Sequence, residues 1–131
     1  MARILIIDDD KECLVQLNML LTHVGHEVFP LLRADKVLNE LQNANPDLVI
    51  TDIVMPGVMG GTVYEAIRKQ VGPYLPIIVS SGTHMRLKPV NDPFLDYCPK
   101  PVDYDVLLAS VNRLLAASRE VGMKQIAEDL D

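Results

Sequence analysis

Three carboxylates in a row, Asp8-Asp9-Asp10, stand directly after four apolar residues, Ile4-Leu5-Ile6-Ile7. Acids so close repel one another, and a fold tolerates them best with something cationic in their midst. A fourth carboxylate, Asp52, follows the apolar run Leu48-Val49-Ile50-Thr51. The hydroxyl pair Ser80-Ser81 follows Ile77-Ile78-Val79, and the ammonium of Lys100 follows Leu95-Asp96-Tyr97-Cys98. General acid/base work would want a pocket for an organic substrate and two acids of separated pKa, and nothing in the chain suggests that pocket. A hard divalent cation such as Mg2+ fits better, because it takes oxygen ligands and bridges carboxylates to phosphate. A bound cation would also let an anionic phosphoryl group approach. A carboxylate can attack phosphorus to form an acyl phosphate. Lys100 and the metal could then stabilise the transferring group, and the Ser81 hydroxyl could bond one of its oxygens.

Those groups must be positioned by elements, and strand-like and helix-like segments alternate along the chain as in βαβ units. Strands are expected at 4–7, 27–32, 48–51, 77–79 and 95–98. Helical spacing marks Leu14, Leu17, Leu20, Leu21 and Val24, then Val37, Leu38 and Leu41, then Val63, Ala66, Ile67 and Val71. A last helix after Asp103 is expected to carry Val106, Leu107, Ser110, Val111, Leu114 and Leu115 on one face. Proline is confined to the edges and ends of sheets, and the second and fifth strands contain or run into Pro30 and Pro99. That placement agrees with a flavodoxin-like, doubly wound, five-stranded parallel α/β sheet of order 2-1-3-4-5, in which the carboxyl ends of the strands meet at one crevice. The stretch from Thr83 to Asp92 contains Pro89 and lacks apolar periodicity, so the fourth crossover helix is expected to be degraded to an irregular connection.

Taken singly, each candidate has a bland role. Asp10 suits a helix cap, Asp8, Asp9 and Asp52 could be structural or solvated acids, Lys100 a surface charge and Ser81 a turn residue. Their joint appearance at the ends of four strands is what points to a site. His23, His26 and His84 are not grouped near the acids in sequence, and Met55 and Met59 read as packing or loop residues. Cys13 and Cys98 show no pairing pattern and read as reduced core thiols.

The chain's 131 residues, 49% hydrophobic and 23% charged, suit one soluble globular domain. A net charge of −6 argues against a nucleic-acid-binding domain, which wants a basic face. No apolar run has the length of a membrane span, and acids arrive too early for a cleaved signal, so a cytoplasmic location is expected. The acidic loop after the first strand lacks the glycines of a phosphate-cradling nucleotide site.

The segments Ile4 to Asp10, Thr51-Asp52-Ile53-Val54-Met55-Pro56-Gly57-Val58-Met59-Gly60, Pro76 to Gly82 and Tyr97-Cys98-Pro99-Lys100-Pro101 resemble the receiver domain of two-component response regulators, over about residues 3–117. The resemblance implies that Asp52 is the phosphoacceptor, taking a phosphoryl group from a histidine kinase or phosphotransfer protein. It implies that Asp9 binds Mg2+ directly, Asp8 largely through water, and the backbone carbonyl of Val54 as a third protein ligand. It places Ser81 and Tyr97 as switch residues, Lys100 as the site lysine, and Gly82 as the small residue after the hydroxyl. Lys100 follows Ser81 by 19 positions, a few short of the usual receiver spacing, with the shortfall in the proline-bearing stretch. The output partner is not implied, and a homodimer is left open.

Two other functions stand beside this one. Asp8-Asp9-Asp10 formally contains the Asp-x-Asp of an aspartyl-nucleophile phosphohydrolase of the haloacid-dehalogenase type, but that class places its nucleophile on the first strand and needs a second acidic pair late in the chain, and here no acidic pair ends a late core strand. A degenerate receiver acting only as a binding module would not need the full set of residues. The Lys100–Pro101 bond is expected to be cis, turning the ammonium back toward the acids. Residues 1–117 are taken as the domain and 118–131 as a helical extension or linker start. In that extension Met123, Ile126, Ala127 and Leu130 share a face, and Gly122 is expected to break or bend the preceding helix.

Overall fold

Alternation along a single strand sorts the whole core. In the computed structural model, which describes residues 1–52, 54–55, 58–82 and 91–130, the first strand β1 (Arg3–Ile7) sends Ile4 and Ile6 to one face of the sheet and Leu5 and Ile7 to the other. Both faces are buried, so the strand reads as an unbroken apolar run. It lies between β2 (Glu27–Leu31) and β3 (Leu48–Thr51), and beyond β3 come β4 (Ile77–Val79) and β5 (Leu95–Tyr97). All pairings are parallel and the order is β2-β1-β3-β4-β5, with the proline-bearing β2 at one edge.

Helices cover both faces. Leu14, Leu17 and Leu21 of α1 (Lys11–His23) and Leu107, Val111 and Leu114 of α4 (Tyr104–Asp129) pack on Ile4, Ile6, Ile50 and Ile78. Val37 and Leu41 of α2 (Val37–Ala44) and Val63 and Ile67 of α3 (Gly60–Val71) pack on Leu5, Ile7, Val49 and Val79. Each such side chain contributes about 2 kcal/mol on burial, several times the difference in propensity between ordinary residues. Packing therefore decides these elements. Asp10 and Asp103 start α1 and α4 by accepting from backbone N–H groups of the first turn. A two-residue antiparallel ladder, Val54–Met55 with Val58–Met59, follows β3.

Three expectations need correction. Val106 is 55% exposed and does not share the buried face of α4, because one residue turns the helix by about 100° from Leu107. The helix also runs without interruption through Gly122 to Asp129. One glycine costs about 1 kcal/mol relative to alanine, and the neighbours Glu120, Met123, Lys124 and Gln125 are good helix formers. Cys13 is only half-buried, while Cys98 lies in the core, and both thiols are free. His26 accepts from the Ala2 N–H at 3.1 Å, tying the start of the chain to the turn before β2.

The expected irregular connection at 83–90, with Pro89 and His84, lies outside the described residues. Where the chain enters β5, a clamp holds it. Asp92 accepts from the Tyr64 hydroxyl at 2.6 Å and from Arg68 Nε at 2.9 Å, and the Arg68 guanidinium also donates to the carbonyls of Leu75 and Phe94. The Arg68–Asp92 pair is largely buried. Burial alone would raise the Asp92 pKa, but hydrogen bonds from Tyr64, the Phe94 N–H and Arg68 outweigh it and hold the carboxyl below its ordinary value. A depressed folded pKa gives stability that is present above the unfolded value and lost as pH falls through the folded one. Asp92→Asn should therefore cost about 3 kcal/mol in urea melts at pH 7, with the gap to wild type narrowing below about pH 4. A gap that does not change with pH would contradict this role.

Candidate functional site

The sheet register builds the site. Ile7, Thr51, Val79 and Tyr97 are paired in one row across β1, β3, β4 and β5. The next residues, Asp8, Asp52, Ser80 and Cys98, form a further row in which the ladder continues. The Asp52 N–H donates to the Ile7 carbonyl, that of Ser80 to Thr51, and that of Cys98 to Val79. Strands that end together thus deliver two acids, a hydroxyl and a thiol to one edge of the sheet.

Asp8 is 3% exposed and Asp52 8% exposed. Side by side and ionised, these carboxylates would repel strongly at such burial. Lys100 bridges them. Its Nζ donates to Asp8 Oδ2 at 2.7 Å and to Asp52 Oδ2 at 2.9 Å. Its own N–H donates to the Ser81 carbonyl at 2.9 Å, and the Lys100–Pro101 peptide is cis, as expected. Burial pulls the Lys100 pKa down, but hydrogen bonds and charge from Asp8 and Asp52 overcome that and hold the ammonium well above its ordinary value. The other Asp8 oxygen accepts from the Asp10 N–H at 2.9 Å, which fixes the carboxylate's orientation.

Asp9 is exposed, yet one of its oxygens joins those of Asp8 and Asp52 within a 4.8 Å span. Three carboxylates against one ammonium leave an excess of negative charge on an all-oxygen donor set. This composition suits a hard divalent cation and suits soft or nitrogen-preferring metals poorly.

Ser81 is 2% exposed beside Lys100, and Tyr97 is 42% exposed at the end of β5. A Cβ added to Gly82 would sit 3.7 Å from Lys100 Cβ, an ordinary contact. Val54 begins the short ladder two residues after Asp52. Two features of the surroundings were not linked to the site from the sequence. The Cys13 thiol is pushed up to about 11, first by burial and then by the Asp8 charge, so it stays protonated beside the acids. Asp96 accepts from the Ser110 hydroxyl and from Arg113 at 2.7 Å, fastening β5 to α4 directly below the site. Helical and strand spacing alone could not have paired them.

The chain matches the family model described as the response regulator receiver domain over residues 4–112. It is 34% identical over 120 residues to the DNA-binding transcriptional regulator NtrC of Bradyrhizobium sp. (strain RP501 Parasponia), covering 89% of this chain and 25% of that protein. It is 32% identical over 120 residues to Protein PilH of Pseudomonas aeruginosa PAO1, covering 88% of this chain and 99% of that one. The chain thus spans about a quarter of the length of the NtrC relatives and nearly all of PilH. Among solved structures, the signal receiver domain of an HD domain-containing protein from Pseudomonas fluorescens Pf-5 superposes with a TM-score of 0.81 at 26% identity, covering 90% of this chain and 97% of that one. A CheY-like response regulator receiver domain protein from Methanospirillum hungatei JF-1 gives 0.79 at 25% identity, covering 92% and 98%.

The bridge sets a prediction. Lys100→Ala leaves two buried carboxylates side by side with no cation between them and should cost about 3 kcal/mol in urea melts in metal-free buffer at pH 7. A variant as stable as wild type would show that the acids do not need the bridge.

Proposed function

The chain belongs to the response regulator receiver domain family, and from that premise we propose that Asp52 accepts a phosphoryl group from a histidine kinase or histidine phosphotransfer protein. The observation that carries the reading is the double hydrogen bond of Lys100 to Asp8 and Asp52, which sets a carboxylate nucleophile beside both a cation and an acid pair. An Asp52 oxygen attacks phosphorus while the bond to the donor's imidazole nitrogen breaks, and the imidazole leaves with the electron pair. Lys100 moves its ammonium to the incoming phosphoryl oxygens, and the Ser81 hydroxyl donates to another of them. Asp8, Asp9, Asp52 and the Val54 carbonyl would hold Mg2+, with Asp9 bound directly and Asp8 largely through water. Bound there, the ion supplies charge neutralisation to the phosphoryl group.

Receiver domains generally act as phosphoacceptor switches, and this chain is read as one, with phosphotransfer and dephosphorylation at its own Asp52 as its chemistry. Ser81 and Tyr97 are proposed to carry the switch toward an output partner. Residues 1–117 are taken as the receiver unit and 118–131 as its helical extension. Among the described residues no helix is long and apolar enough to cross a membrane, and a cytoplasmic setting is part of the reading.

Incubation with acetyl phosphate and Mg2+ should label wild type to at most one phosphoryl group per chain and leave Asp52→Asn unlabelled. Equal label on Asp52→Asn would refute the assignment, and sustained multiple-turnover phosphatase activity would favour a phosphohydrolase instead. In Mg2+ titrations, Asp9→Ala should lose more affinity than Asp8→Ala. The reverse order would exchange their roles.

A further inference from the structure

Ser80 is 3% exposed, and its hydroxyl oxygen has neither solvent nor a hydrogen-bond partner among the described residues. An unpaired buried hydroxyl costs about 1–3 kcal/mol, so a folded chain that keeps one calls for a reason. Its place in the sheet suggests what the reason is. Ile50, Ile78 and Cys98 all face the core under α1 and α4, and Asp52 and Ser80 stand two residues beyond Ile50 and Ile78 on their strands. Side chains two apart share a face, so Ser80 projects between Asp52 on one side and Cys98 on the other, each about 4.8 Å away at the strand spacing. The thiol is a weak hydrogen-bonding group, whereas the carboxylate is a strong, charge-assisted acceptor. Rotation of one side-chain torsion between staggered wells carries a serine oxygen from one side to the other.

We propose that Ser80 is a second hydroxyl of the site, donating to the Asp52 oxygen that Lys100 now holds once the ammonium has turned to the phosphoryl group. This rests on Asp52 being the phosphoacceptor. In hydrolysis of the acyl phosphate, water oxygen bonds to phosphorus and the Asp52 O–P bond breaks. The electron pair returns to the Asp52 carboxylate, and the water's proton leaves with inorganic phosphate. Negative charge therefore grows on Asp52 along the reaction, and a hydrogen bond to it strengthens as it grows. The hydroxyl speeds loss of the phosphoryl group and so shortens the life of the signal.

The test labels wild type, Ser80→Ala and Ser80→Thr with acetyl phosphate, removes the donor, and follows loss of acyl phosphate at saturating Mg2+. Ser80→Ala should lengthen the half-life roughly three- to tenfold, the size of one net hydrogen bond. Ser80→Thr should restore a half-life near wild type. The melting temperature of Ser80→Ala should be equal to or above wild type, since an orphan polar group has been removed. A half-life unchanged or shortened in Ser80→Ala, or a lengthening that Ser80→Thr shares, would overturn the proposal while leaving the Asp52 assignment intact. Wild type that takes no more label than Asp52→Asn would overturn both.

Discussion

One ammonium between two buried carboxylates is the constraint on which the rest of the molecule turns. Lys100 reaches Asp8 and Asp52 from the far side of the sheet, 92 and 48 residues away in sequence. Charges at this burial cannot be left unpaired, and breaking such a pair costs about 3–5 kcal/mol. The fold must therefore hold β1, β3 and the segment after β5 in a fixed relation. It does so with a continuous parallel ladder whose hydrogen bonds carry on past the strand ends into Asp52, Ser80 and Cys98. The same arrangement leaves the carboxylates in excess over the ammonium, so the bridge that stabilises the site also leaves it short of positive charge. A phosphoryl acceptor needs both conditions.

Much of this was legible in the residues. The apolar runs before Asp8 and Asp52 fixed which strands are central, and the placement of Pro30 and Pro99 agreed with the strand order that the sheet adopts. Asp8, Asp9, Asp52 and Lys100 could be gathered because parallel strands that end together expose their following residues at one edge. Single-position inferences fared less well. Val106 was put on the buried face because it is apolar, and it is exposed because angular position on a helix, not residue type, decides burial. Gly122 was expected to break or bend the helix, and it does not break it, because a penalty of about 1 kcal/mol does not stop a helix whose neighbouring residues favour it. Ser80 was seen only as half of a hydroxyl pair, since its isolation depends on what stands beside it across the sheet.

Side-chain hydrogen bonds secure the start of β5, after a stretch whose sequence carries Pro89 and Pro93 and no apolar periodicity. Arg68, Tyr64 and Asp92 make them at the end of the sheet opposite the site. Asp96, Ser110 and Arg113 fasten the other side of β5 to α4. Lys100 inherits its position from both attachments. Past residue 117 α4 continues with Met123 and Ile126 exposed, and Leu130 just beyond its end is exposed too, so that stripe adds no burial to the domain itself.

The most direct test of the account is chemical trapping of the phosphorylated residue. Borohydride reduces an aspartyl phosphate to homoserine, and peptide mass spectrometry then reads the position. After treatment with acetyl phosphate and Mg2+, homoserine is predicted at Asp52 alone, with the yield sharply reduced in Lys100→Ala. Homoserine at Asp8 or Asp9, or the same yield at Asp52 with and without Lys100, would contradict it.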